Sequence, residues 1–197
     1  MFVLFVLIFQ FVSAHPVIWD GGIEHVCEYS NKHLLMTHHR SYAATYSFGY
    51  RYNLYCAKRE LINIEWLCNG HLYRWNRTSS QSNLYSLLTL GVNNRNQIDA
   101  SVGCQYDWET REKYLLFRSV FTTQKSTLTS RIGTVLNKGG FYDAHYWAIL
   151  ERYDVITNGI RSVKWFPIIR IVRPDYLFEY KYDHDDGSIS TTLMVHI

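Results

Sequence analysis

Alternation with a period of two is the feature that most constrains this chain. Tyr50, Tyr52, Leu54 and Cys56 alternate with Arg51, Asn53 and Tyr55, and successive side chains of a strand point to opposite faces. A helix would instead repeat its apolar residues every three or four positions. Only Ala144 to Tyr153 suggests a short helix. Further strand-like runs are Lys113 to Phe117 and Val163 to Ile169, the second with Pro167, which predicts an edge position or a bulge there. Tyr176 to Tyr182 and Ile189 to Ile197 read as a C-terminal hairpin around Asp185-Asp186-Gly187, and Asn158-Gly159 marks another tight turn. No linker or shift of composition divides the chain. The expectation is a single antiparallel all-β domain.

The N-terminal run MFVLFVLIFQFVSA is uncharged and almost wholly apolar. It is too short for a membrane-spanning helix and ends in small residues that signal peptidase accepts. Residues 1–14 are therefore expected to be a signal peptide and 15–197 the mature domain, beginning at His15. No later run is long and apolar enough to act as a helical anchor, so a secreted, extracellular protein with no membrane span is expected. The cysteines Cys27, Cys56, Cys68 and Cys104 are even in number. In an exported chain that predicts two disulfides, with three possible pairings, of which Cys27–Cys56 and Cys68–Cys104 is the simplest. Asn76-Arg77-Thr78 is a glycosylation sequon, expected on an exposed turn.

Composition narrows the partners. Hydrophobic residues make up 47% of the 197, so the chain is not a disordered one. The net charge of +3 is spread out with no run of Lys or Arg, which argues against nucleic acid. With 16 Tyr and 6 Trp, many side chains carry an apolar body and a polar tip, suited to half-buried strands and to sugar- or protein-contacting surfaces. Three times an aromatic-rich segment leads through an Arg into a strand: Tyr46 to Cys56 around Arg51, Tyr106 to Arg118 around Arg111, and Tyr153 to Arg170 around Arg161. An Arg in that place can stack on rings and bond turn carbonyls.

These residues resemble the dermatopontin family of secreted, tyrosine-rich matrix proteins. Six residues separate Trp19-Asp20 from Cys27, Arg40-Ser41 follows, and Tyr50 to Cys56 runs to the second cysteine. Asn93-Asn94 through Tyr106 to Thr110-Arg111-Glu112 is similar to a second repeat, and Arg161 to Arg170, with Trp165, to a third. The resemblance implies a disulfide-stapled domain of about three divergent repeats and an extracellular-matrix or lectin-like role, contacting glycans, proteoglycans or matrix proteins. It carries over no catalytic residue.

No nucleophile elbow, phosphate loop or cysteine nucleophile with a base is present, so no enzyme and no cofactor is expected. The alternative enzyme is copper-dependent and polysaccharide-active: a processed His15 could chelate copper through its amine and ring with His38, His39 or His71, an arrangement that resembles the histidine brace of polysaccharide monooxygenases. A purely structural secreted-layer protein is the other alternative. His33, His38 and His39 are read as surface histidines, since adjacent strand residues such as His38 and His39 face opposite ways. Asp183 to Asp186 fits a turn better than a calcium loop, and no metal site is assigned. Candidate ligand-binding residues are Tyr42, Tyr46, Arg51, Tyr106, Trp108, Arg111 and Trp147, rings to stack on a sugar and guanidinium groups to bond its sulfate or carboxylate. The sequence does not name the ligand or the oligomeric state.

Overall fold

The computed structural model describes residues 22–196, leaving out 44, 138–142, 174–175 and 186. It has twelve strands: β1 (Ile23–Ser30), β2 (His33–Tyr42), β3 (Tyr46–Tyr55), β4 (Glu60–Asn76), β5 (Ser80–Asn93), β6 (Ile98–Thr110), β7 (Lys113–Thr122), β8 (Lys125–Val135), β9 (His145–Thr157), β10 (Ile160–Val172), β11 (Tyr176–Tyr182) and β12 (Ile189–His196). Every strand pairs antiparallel with its neighbours in sequence, and β1 pairs with β12 to close the barrel. Closure leaves no strand with an unpaired side among the described residues. Twelve strands at the usual spacing and tilt place opposite backbones roughly 24 Å apart. Eight strands leave just enough room for side chains and sixteen a water channel, so a lumen here is partly filled.

Tight turns set the register. Asn158 and Gly159 both have positive φ (51° and 78°), as do Asn31 and Lys32 (47° and 67°). These are two-residue connections whose twist matches the strands they join. Pro167 lies inside β10, opposite Leu150 of β9, and the β11 ladder starts only at Ile168. On the β11 side β10 is locally an edge at Pro167, where a missing N–H costs nothing.

Which face is apolar is the central finding. On β3, Arg51 and Asn53 belong to the inward face, while Tyr50 (40% exposed) and Tyr52 point outward. Elsewhere Trp66 is 64% and Ile132 62% exposed on the outside. Inside, Glu24, Asn83, Asp107, Glu151, Arg170 and Glu179 are buried. A smaller apolar cluster of Tyr114, Leu116, Ile149, Phe166 and Ile168 plugs part of the interior on the β7 to β10 wall. The barrel is thus apolar outside and polar within, the reverse of a water-soluble protein.

Several expectations are corrected. The disulfide-stapled repeat domain is not formed: Cys27, Cys56, Cys68 and Cys104 are free thiols. Cys68 on β4 and Cys104 on β6 are separated by β5, and Cys27 on β1 and Cys56 just past β3 by β2. Strands two apart lie about 9.5 Å from each other, beyond the reach of an S–S bridge. The three proposed repeats are not equivalent either. Arg51 lies in the lumen, Arg111 in the β6–β7 turn, and Arg161 on the outside against Asp154. Ala144 to Tyr153 is not a helix but opens β9, with Trp147 and Ile149 facing in and Ala148 and Leu150 facing the outer surface.

Candidate functional site

The described interior includes cavities of about 500 and 170 Å³. Both are lined by Glu28, Gln105, Arg118 and Met194, so these four residues surround the neck between them. Strand parity explains their position. Glu24 and Val26 line the lumen on β1 and Glu28 continues that face; Tyr114, Leu116 and Arg118 do so on β7. In a ring of twelve, β1 and β7 are six strands apart, hence on opposite walls. Glu28 and Arg118 therefore face each other across the lumen. Both side chains are exposed to solvent, and neither makes an ion pair or side-chain hydrogen bond with a described residue. An unpaired charge costs little only where water reaches it, so the neck is wet.

The other lumenal charges are held in networks. Arg131 donates from Nε to Glu151 Oε2 (2.6 Å) and from a terminal nitrogen to Glu179 Oε1 (3.1 Å). Arg170 Nε donates to the same Glu179 oxygen (2.7 Å) and Lys181 Nζ to Glu151 Oε1 (3.0 Å). Arg170 also lies over the Tyr114 ring at 4.7 Å and Lys181 over Phe166 at 4.3 Å. This basic-rich wall spans β8 to β11. Across the barrel Arg51 Nε donates to Glu65 Oε2 (2.9 Å), and Glu65 also accepts from Asn63. Asp107 accepts from Asn83 (2.8 Å), which in turn accepts from Arg74 (2.8 Å). Glu24 lies 3.3 Å from His39, which is buried in the lumen rather than on the surface.

The seven residues expected to bind a ligand do not form one site. Arg51 lines the smaller cavity, and Trp147 packs on the apolar cluster inside. Tyr42 and Tyr46 stack on the outside, centroids 5.6 Å apart. Trp108 lines an outer groove with Ile132 and Leu150, Tyr106 bonds Ser82 on the outer face (3.3 Å), and Arg111 sits in its turn. Sequence reasoning missed Glu28 and Arg118. Their only signal is parity relative to a barrel wall, and that shows once the strands are aligned around the ring. Asn76 lies at the exposed end of β4. His15 and Trp19-Asp20 lie outside the described residues.

The outer surface overturns three further expectations. Its apolar side chains continue around the ring, from Trp66 and Leu90 through Val102, Phe121 and Ile132 to Trp165 and Leu193. That is far more exposed apolar area than a protein surrounded by water carries. Free secretion and a matrix or secreted-layer role do not fit such a surface. Nor does the absence of a membrane span: strands cross with alternating residues and need no long apolar run.

No family model matches the chain, and no curated protein matches it. The resemblance to the dermatopontin family finds no support in either comparison. Among solved structures, the fold matches a chain described as "KdgM porin in complex with disordered oligogalacturonate", with a TM-score of 0.57 and 12% identity. The match covers 89% of this chain and 97% of that one. At that identity the likeness is one of fold: a closed barrel, not the disulfide-stapled repeat domain of a matrix protein.

Proposed function

We propose that this chain is a membrane-embedded β-barrel of the outer-membrane type, acting as a passive channel for hydrophilic solutes. The observation that carries this reading is the water-exposed Glu28–Arg118 neck inside a wall whose other face is apolar. A lipid environment accounts for the outer face and a water path for the inner one. Residues 1–14 belong to the same reading as a leader for export, with 15–197 as the barrel chain. The solved neighbour is in complex with a glycan, and a lumen rich in Arg, Glu, Tyr and Asn side chains can exchange hydrogen bonds with sugar hydroxyls and carboxylates. We assign oligosaccharides, including acidic ones, as the solute class. Lumenal Arg51 is retained from the sequence candidates as a wall residue of this path.

Single-channel recording of the purified chain in planar bilayers tests the proposal. Discrete conductance steps are expected. Arg118→Ala removes the unpaired cation at the neck and should shift the reversal potential in a salt gradient toward cation selectivity; Glu28→Gln should shift it the other way. A folded barrel that conducts nothing would refute the channel.

A further inference from the structure

A furrow crosses the outer wall beside the β6–β7 turn, outside the path through the lumen. Outward side chains of neighbouring strands meet rung by rung. Trp108, Leu115, Ile132, Leu150 and Pro167 form one such rung across β6 to β10 and stand as an apolar ridge. The next outward rung towards the turn is Lys113, Thr134 and Ala148 on β7, β8 and β9. Past it Leu136 and Tyr146, both exposed and joined by a 2.7 Å backbone hydrogen bond, raise the wall again. Thr134 and Ala148 are thus a low floor between two tall ridges about 13 Å apart along the strands. The hollow measures about 670 Å³, within the range of about 300–1,000 Å³ of clefts that enclose small ligands.

The furrow is charged at one end only. Lys113 is the one charged residue that lines it. Its side chain is exposed and makes no ion pair or hydrogen bond with a described residue. The adjoining turn holds Arg111 and Glu112, so two cations stand there against one carboxylate. Lys113 is the first residue of β7, Thr134 is second from the end of β8, and Ala148 is fourth in β9. The floor therefore runs inward from the barrel's end, with the ammonium at the outset and apolar wall beyond. In a bilayer the strand ends lie at the headgroups and the middle of the wall in hydrocarbon. That order matches an amphiphile with an acidic head and a hydrocarbon tail. A purely apolar occupant, whether a tail alone or the wall of another barrel, would leave the ammonium without a counter-charge in hydrocarbon.

We infer that this furrow binds one anionic phospholipid, with an acyl chain over Thr134 and Ala148 and the headgroup phosphate on Lys113. The inference rests on the membrane reading and adds to it a fixed lipid outside the lumen.

The test inserts the full chain into vesicles of phosphatidylcholine with a minor fraction of phosphatidylglycerol, extracts it in mild detergent and weighs it by native mass spectrometry. One phosphatidylglycerol should stay bound against the excess of phosphatidylcholine. Lys113→Gln should lower that preference about fivefold, the ordinary worth of one basic side chain at an anionic surface. Ala148→Leu fills the floor from the lipid side and should weaken retention of either lipid by about tenfold. Far-UV circular dichroism shows that both variants keep their strands. An inserted barrel that retains no phospholipid, or retains the two in proportion to the mixture, would overturn the inference. So would a preference unmoved by Lys113→Gln, or a dimer found in place of bound lipid. A chain that does not insert at all fails the membrane reading and takes this inference with it, so the two failures are told apart.

Discussion

Glu179 is the residue on which most of the lumenal order converges. It accepts hydrogen bonds from Arg131 and from Arg170, whose guanidinium in turn covers Tyr114. Both arginines would keep their charge if the carboxylate were removed, and Arg170 is buried. Breaking a buried pair from one side costs about 3–5 kcal/mol, because the remaining charge is stranded. The open cavity beside Glu179 lets water repair part of that loss, so Glu179→Gln is expected to destabilise the barrel by about 2–3 kcal/mol. Reversible urea unfolding in lipid vesicles measures it, and a change under 0.5 kcal/mol would contradict the network's importance. Arg118 offers the contrast. It has no such partners among the described residues, so Arg118→Ala should leave stability nearly unchanged while altering selectivity. None of these residues was among the sequence candidates, whose one lumenal charge is Arg51. Arg131, Arg170 and Glu179 come from three strands and meet only when the ring is assembled.

At the scale of the strand, period-two alternation was legible and its polarity was not. The run Tyr50 to Tyr55 reads identically whether the rings or the Arg51–Asn53 set faces a core, since alternation fixes faces but not their surroundings. What decides it is the partner on each side: Arg51 finds Glu65 inside. The false helix over Ala144 to Tyr153 has a related cause. In the first half of β9 the inward residues Trp147 and Ile149 join the internal plug while Leu150 faces out, so both faces are apolar and alternation disappears. Turns were read more directly, because Asn158-Gly159 carries its conformation in its own backbone. The outer face makes a prediction of its own. Ile132 on β8 is 62% exposed beside Leu150. In lipid, Ile132→Arg should cost about 2–4 kcal/mol near the midplane. Thr129→Asn, on the same strand but lining the larger cavity, should be close to neutral. In water the order would reverse or vanish, and equilibrium unfolding of the two variants in vesicles distinguishes the cases.

For the molecule as a whole, the cysteines separate the two architectures that this sequence can suggest. A secreted, stapled domain keeps its four cysteines oxidised and its surface in water. The closed barrel keeps them reduced and distributes them by position: Cys56 in the β3–β4 turn, Cys104 on the outward side of β6 between Ser86 and Ser119. Both are exposed on the isolated chain. Only in a membrane do they differ, because lipid covers the wall of the barrel and leaves its ends in water. A thiolate forms readily only where water or a cation stabilises it, so a charged, water-soluble maleimide should label Cys56 of the vesicle-inserted protein and spare Cys104. After denaturation without reductant, all four cysteines should react. Single-cysteine variants read by mass spectrometry give the result position by position. Equal labelling of Cys56 and Cys104 in vesicles would place the wall of the barrel in water. Fewer than four reactive thiols after denaturation would restore a covalent staple that the strand order forbids.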